Sequence, residues 1–149
     1  MFVRALHPFC MSEHAVSIPF ALSSVRAGFP SPASDYLEEL DLYSLLVPRP
    51  AATFFIRVEG DSMGGAGIVS GDILVVDRAR EPRSGDVVLA VLDGEFTVKR
   101  WVERPGSGGV LQAENPNYPP IILTPERDFS IWGVVTFALH EMRRASCLP

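Results

Sequence analysis

A serine and a lysine that could do chemistry together stand 37 positions apart in the sequence. Ser62 lies in the stretch "EGDSMGGAG", where flanking glycines allow a tight turn that would present the hydroxyl. Lys99 lies in the apolar stretch "GEFTVKRW", where burial would disfavour the charged amine and lower its pKa from about 10.4. A neutral lysine amine can take the proton of a serine hydroxyl, which would make that hydroxyl a nucleophile.

Each of the two residues also has an ordinary structural explanation. Serine is common in turns for conformational reasons alone. A lysine on an edge strand can bury its stem while its ammonium reaches water and discourages pairing with other chains. Arg100, beside Lys99, cannot serve as a base because a guanidinium keeps its proton. The sequence favours the chemical interpretation only if Ser62 and Lys99 belong together.

A hairpin predicts the surroundings of the lysine. The dipeptide Asp93-Gly94 between two apolar runs is a strong signal for a two-residue turn. Such a turn pairs Val88 with Lys99, and alternation along the strand places Thr97 and Trp101 on the same face as Lys99. We therefore expect Lys99 in an apolar neighbourhood with one hydroxyl, that of Thr97, within reach.

From residue 53 onward the sequence has the pattern of an all-β protein. Short runs rich in β-branched and aromatic residues are separated by turn signals: "TFFIRVE", "DILVVD", "DVVLAVL", "GGVLQAE", "PIILT" and "SIWGVVTFAL". A long helical period is absent from this part of the sequence. The pattern predicts an all-β domain built from coiled sheets.

The sequence predicts three segments of different character. Residues 1–27 lack a sustained period and are expected to form an arm. Residues 28–52 are expected to be a tail or linker with a short helix, which Ser31 would cap and Pro32 would begin. Residues 53–149 are expected to form the β domain.

Composition and charge exclude several classes of protein. The 149 residues are 47% hydrophobic and 21% charged, as in one globular domain. A net charge of -5 without a long basic run argues against direct binding of nucleic acid. Cys10 and Cys147 each lie near a terminus, and we expect no disulfide scaffold, no metal, no cofactor and free thiols in the cytoplasm. Glu13 and Pro19 interrupt a weak signal-peptide pattern, and "IWGVVTFAL" is too short to span a membrane.

The stretches "GDSM", "GIVSGDILVVD" and "GEFTVKR" together resemble the LexA and UmuD family of Ser-Lys self-cleaving proteins, peptidase family S24. The resemblance implies a LexA/signal-peptidase-like fold of coiled antiparallel sheets with a flexible N-terminal arm. It implies that Ser62 is the nucleophile and Lys99 the general base. The backbone N–H groups of Asp61 and Ser62 would hold the oxyanion. Thr97, by its place in the motif and on the strand, is expected to orient Lys99.

The stretch "AGFPSPASDYLEELDL" is similar to the scission region of the UmuD branch. This likeness implies self-cleavage between Ala27 and Gly28, with alanine standing where that branch has cysteine. It further implies a homodimer, stimulation of cleavage by a RecA filament on single-stranded DNA, and a Y-family (UmuC-like) polymerase catalytic subunit as partner in the SOS response. It implies neither a membrane nor sequence-specific DNA binding.

Three other functions are open to a domain of this kind. A LexA-type or phage-type repressor needs a DNA-reading domain, for which the residues before Gly28 are too few. A signal peptidase with the same dyad needs a membrane anchor. A catalytically silent β domain would serve only as a binding module. The change Ser62→Ala separates this last alternative from a self-cleaving protein.

Overall fold

The structure is a computed structural model that describes residues 1–8, 17–21, 37–106 and 108–142. Strands make up most of its regular structure, and the expected all-β class is confirmed. In chain order the strands are β1 (Phe2–Pro8), β2 (Ser17–Ala21), β3 (Leu37–Asp41), β4 (Thr53–Glu59), β5 (Ile73–Asp77), β6 (Val87–Leu92), β7 (Glu95–Val102), β8 (Val110–Gln112), β9 (Ile121–Ile122) and β10 (Phe129–Leu139). A short helix, α1 (Leu42–Leu46), follows β3, and 3₁₀ turns lie at Pro50–Ala52 and Gly64–Ala66.

The chain divides into two compact units, one of Met1–Phe9 with Arg49–Pro149 and one of Cys10–Pro48. In the first unit, eight strands form one antiparallel sheet in the order β1-β4-β5-β10-β6-β7-β8-β9. Strand β4 leads to Ser62 and strand β7 carries Lys99. Three strands separate β4 from β7 in this order, so the sheet has to curl for the two residues to meet.

The long strand β10 lies at the middle of this curl. It spans 11 residues and pairs with β5 on one edge and with β6 on the other. Its register shifts between Ile131 and Gly133 and again between Val135 and Phe137. Such bulges bend a strand and increase its twist, which turns one half of the sheet toward the other.

The curled sheet buries apolar side chains in two clusters. The first comprises Met1, Ile56, Val58, Met63, Ile68, Leu74, Val76, Leu89 and Val98. The second comprises Val88, Ala90, Trp101, Leu111, Leu123 and Val134. Neighbouring residues of β6 enter different clusters because successive side chains of a strand point to opposite faces.

The predicted hairpin between β6 and β7 is confirmed. Val88 lies opposite Lys99, and Ala90 lies opposite Thr97. Asp93 and Gly94 have φ values of 50° and 86°, so both turn residues occupy the left-handed region that a tight hairpin turn requires. The turn therefore fixes the register in which Lys99 is presented.

The structure places strands in two stretches of the segment that the sequence analysis expected to be an arm. Strand β1 pairs with β4 along the edge of the large sheet, and backbone pairing of this kind needs no period in the side chains. Strand β2 pairs with β3 in the second unit, with Ala21 opposite Leu37. The division at residues 27 and 52 stays a prediction.

A short helix does occur within residues 28–52, but at α1. The Asp41 carboxylate caps it by accepting from Tyr43 N at 3.0 Å and Ser44 N at 3.2 Å. The helix start expected at Ser31 and Pro32 lies outside the described residues. Among the residues that the structure describes, none of the helices is long and apolar enough to cross a membrane.

Candidate active site

The turn after β4 presents Ser62 at the end of a strand. Gly60 opens the turn with a φ of 105°, which few residues other than glycine adopt. Met63 is fully buried in the first apolar cluster and fixes the turn to the core. Ser62, which lies between them, is only 1% exposed, so its hydroxyl is shielded from bulk water.

Lys99 reaches the serine hydroxyl from β7. Its Nζ lies 3.0 Å from Ser62 Oγ, 3.2 Å from Thr97 Oγ1 and 3.0 Å from the carbonyl oxygen of Val98. The lysine is only 6% exposed. It therefore differs from an edge-strand lysine whose ammonium reaches water, which was the ordinary structural explanation. The structure therefore brings Ser62, Lys99 and Thr97 together in one buried polar group.

Burial lowers the pKa of Lys99 from the usual 10.5, because a charged amine loses its hydration in this position. A hydrogen bond with the amine of Met1 works in the opposite direction but does not cancel the effect of burial. The neutral form of Lys99 is thus populated at lower pH than that of a lysine in water. This form has the free electron pair that a general base requires.

A second amine lies at the serine hydroxyl. The amino group of Met1 donates to Ser62 Oγ at 3.1 Å, and Met1 is 8% exposed. Burial, followed by the charge and hydrogen bond of Lys99, lowers the pKa of this amine to about 6, while the Asp61 carboxylate opposes the shift. Sequence reasoning missed this contact, because it arises from the pairing of β1 with β4 and has no motif of its own.

A loop comprising residues 113–118, here called the brace, makes hydrogen bonds with the serine turn. Glu114 N donates to Ser62 O at 2.9 Å, and Gly65 N donates to Glu114 O at 2.7 Å. The Glu114 carboxylate also accepts from Nε of Arg100, the residue that follows Lys99. The brace thus ties the serine turn to the strand of the lysine, and it helps to fix the distance between the two catalytic candidates.

Gly65 makes the tightest contact with the brace, and its replacement gives a first prediction. A Cβ at Gly65 would lie 2.6 Å from Glu114 O, a distance that forces the backbone apart. Gly65→Ala is expected to lower the free energy of unfolding by about 1–3 kcal/mol and to slow any reaction of Ser62. Thermal unfolding and the rate of self-cleavage measure the two effects.

Gly64→Ala is the matched control for that prediction. The neighbouring Gly64 has nothing within 4 Å of its Cβ position, so alanine fits there without displacing the loop. Equal effects of the two substitutions would contradict a role for the close contact with Glu114.

The remaining predicted site residues are Asp61, Ala27 and Gly28, and the structure describes only the first of them. The carboxylate of Asp61 is exposed, while its carbonyl oxygen accepts from Gly64 N at 3.1 Å within the serine turn. The predicted scission residues Ala27 and Gly28 lie outside the described residues. Within the described ranges, no three His, Cys, Asp or Glu side chains are grouped so that they could hold a metal ion.

Comparison with known proteins identifies the family of this chain. The Peptidase S24-like family matches residues 19–136. Protein ImpA of Escherichia coli is 50% identical over 126 residues, which cover 84% of this chain and 85% of the relative. Protein SamA of Salmonella typhimurium is 53% identical over 126 residues, covering 84% and 86%. Protein MucA of Escherichia coli is 45% identical over 127 residues, with the same coverage.

The match extends over most of the chain and includes both Ser62 and Lys99. A buried serine hydroxyl next to a lysine amine is the arrangement found in the Ser-Lys variant of the catalytic triad. The chain belongs to the Peptidase S24-like family and is a UmuD-like, self-cleaving serine peptidase of SOS mutagenesis.

Proposed function

We propose that Ser62 and Lys99 form the dyad with which this protein cuts its own chain between Ala27 and Gly28. The observation that carries the proposal is the 3.0 Å contact between Lys99 Nζ and Ser62 Oγ in a site where both residues are buried. Burial lowers the pKa of Lys99, so that its amine can act as a base. Thr97 holds Nζ from the side, at 3.2 Å, and orients it toward the serine.

The reaction begins when neutral Lys99 takes the proton of the Ser62 hydroxyl. Oγ then bonds to the carbonyl carbon of Ala27, and the N–H groups of Ser62 and Asp61 stabilise the resulting oxyanion. The carbon–nitrogen bond breaks as protonated Lys99 gives its proton to the amine of Gly28. A water molecule, deprotonated by Lys99, next attacks the acyl-enzyme, which releases the carboxylate of Ala27 and restores Ser62.

Two paired strands flank the scission sequence in the second unit. Strands β2 and β3 pair antiparallel with Ala21 opposite Leu37, so residues 22–36 begin and end at neighbouring points of the second unit. The predicted bond falls within this connection.

The processed protein, residues 28–149, acts in our proposal as a homodimer that joins a Y-family polymerase catalytic subunit in the cytoplasm. A RecA filament on single-stranded DNA stimulates the cut by favouring the conformer in which the scission segment occupies the site. Family membership supports these partners. The net charge of -5 is consistent with recruitment through proteins rather than through direct contact with DNA.

The identity of the products tests the proposal. Purified full-length protein is incubated with RecA, single-stranded DNA and nucleotide, and the fragments are analysed by mass spectrometry. We expect one new N-terminus, at Gly28, and no cut in the absence of the Ser62 hydroxyl. A new N-terminus at any other residue would refute the proposed scission bond.

A further inference from the structure

The serine turn has a second set of contacts, which the proposed mechanism does not use. Asn115 Nδ2 donates to the carbonyl oxygen of Asp61 at 3.0 Å and to the Asp61 carboxylate at 3.3 Å. The hydroxyl of Tyr118 donates to the other oxygen of that carboxylate. Both groups belong to the loop of residues 113–118 and both contact the residue immediately before Ser62.

The contact with the Asp61 carbonyl has a direct consequence for Ser62. The carbonyl of Asp61 and the N–H of Ser62 belong to one peptide unit, which is planar and trans. The two groups therefore point in opposite directions, and a side chain that fixes the carbonyl also fixes the N–H. In the proposed mechanism this N–H is a donor to the oxyanion, so its direction affects the rate.

The amide of Asn115 is itself fixed at both ends. Its Oδ1 accepts from Asn117 N at 3.0 Å while its Nδ2 donates to Asp61, so the amide has one preferred orientation. Tyr118 holds the carboxylate that receives the second contact of Nδ2. The hydrogen bond to the Asp61 carboxylate raises the pKa of Tyr118 from its usual 10.0, because only the protonated phenol can donate to it.

We propose that Asn115 and Tyr118 are positioning residues, which act through Asp61 to aim the N–H of Ser62 at the oxyanion of the acyl-transfer step. The inference rests on the proposed function, because it assigns a role within that reaction. Asn115 acts directly on the peptide unit, and Tyr118 acts by holding the Asp61 carboxylate against the Asn115 amide. Neither residue touches the reacting atoms.

The rate of spontaneous self-cleavage from pH 7 to pH 10 tests the role of Asn115. Asn115→Ala is expected to lower the maximal rate by about 10- to 100-fold, since loss of one oxyanion donor costs about 100- to 1,000-fold and a misaimed donor costs less. The pH dependence should keep its midpoint, because Lys99 is untouched. A merely structural defect would instead lower the unfolding temperature or shift that midpoint.

Asn117→Ala is the matched control, because Asn117 enters this network through its backbone N–H. It should cleave at the wild-type rate. An Asn115→Ala protein that reaches the wild-type maximal rate would overturn the inference, as would equal losses in both variants.

If Asn115→Ala does not fold, the effect of Tyr118→Phe on the cleavage rate tests the inference instead. Tyr118→Phe removes one oxygen from an exposed side chain and is expected to slow cleavage about 3- to 10-fold, as for one hydrogen bond of about 1 kcal/mol. In an Asp61→Ala background the same change should have no further effect, since Tyr118 acts through the carboxylate. An equal loss in both backgrounds, or no loss in either, would overturn the inference.

The same assay separates this inference from the function on which it rests. Wild-type protein that stays uncut, or Ser62→Ala protein that is cut, would overturn the proposed function and the inference with it. Cleavage that depends on Ser62 but is indifferent to Asn115 and Tyr118 would overturn the inference alone.

Discussion

Replacing Ser62 with alanine is expected to lower the rate of self-cleavage by about 10,000-fold or more, because the reaction then lacks its nucleophile. The side chain is 1% exposed and its oxygen contacts the amines of Lys99 and Met1. Alanine removes that single oxygen from the site. The loss is measured as the fraction of full-length protein that remains after incubation at alkaline pH.

Ser130→Ala provides the control for this first prediction. Ser130 lies on β10 and is exposed, so it tests the loss of a serine hydroxyl outside the site. It should cleave as the wild type does. Efficient cleavage of Ser62→Ala would show that another group attacks the chain. The centre formed by Ser62 would then have no catalytic role.

Replacing Lys99 is expected to have the second largest effect. Lys99→Met keeps most of the apolar stem and removes the amine, so the serine loses its base. General base catalysis contributes about 100- to 10,000-fold, and we expect a loss in this range. The first-order rate constant of cleavage at pH 9 measures it.

Lys99→Arg distinguishes the base from a mere positive charge. Arginine keeps the charge but does not release its proton under these conditions. The Arg variant should therefore be as slow as the Met variant. Cleavage by Lys99→Arg at a substantial fraction of the wild-type rate would contradict the role of Lys99 as base.

The hairpin and the lysine environment could be predicted from the sequence because they depend on local rules. Asp93-Gly94 specifies the turn, the turn specifies the register, and alternation then places Thr97 beside Lys99. The strands β4 to β7 were recognisable for the same reason. These features need no knowledge of contacts between distant parts of the chain.

The meeting of Ser62 and Lys99 could not be derived from local rules. Three strands separate β4 from β7, and only the curl of the whole sheet brings the two residues together. The family resemblance supplied what periodicity could not. The structure places the pair in contact, while the catalytic roles stay predictions for the experiments above.

Two other features of the site were invisible in the sequence because they depend on the backbone. The Met1 amine reaches Ser62 through the pairing of β1 with β4, which any side-chain pattern permits. The contacts of Glu114 with the serine turn are made by main-chain groups and by the absence of a Cβ at Gly65. The stretch "ENPNYPP" is rich in turn-forming residues but gives no sign of what they contact.

The pH dependence of cleavage follows from the direction of the Lys99 shift. Because burial lowers its pKa below 10.5, the neutral amine becomes more abundant as the pH rises through that lowered value. The rate should therefore increase with pH and become constant above it. The Met1 amine, with a pKa of about 6, is already neutral above pH 7 and does not contribute to the rise.

The pKa of Lys99 itself is the most direct test, and the sequence makes it accessible. Lys99 is the only lysine of the chain, so protein labelled with ¹³C-lysine gives one lysine Cε signal in an NMR titration. Ser62→Ala protein stays intact during the measurement. We expect this signal to titrate below pH 10.5, near the midpoint of the wild-type cleavage profile. A lysine that titrates at 10.5 or above, together with a cleavage rate that is constant from pH 7 to pH 10, would contradict the account.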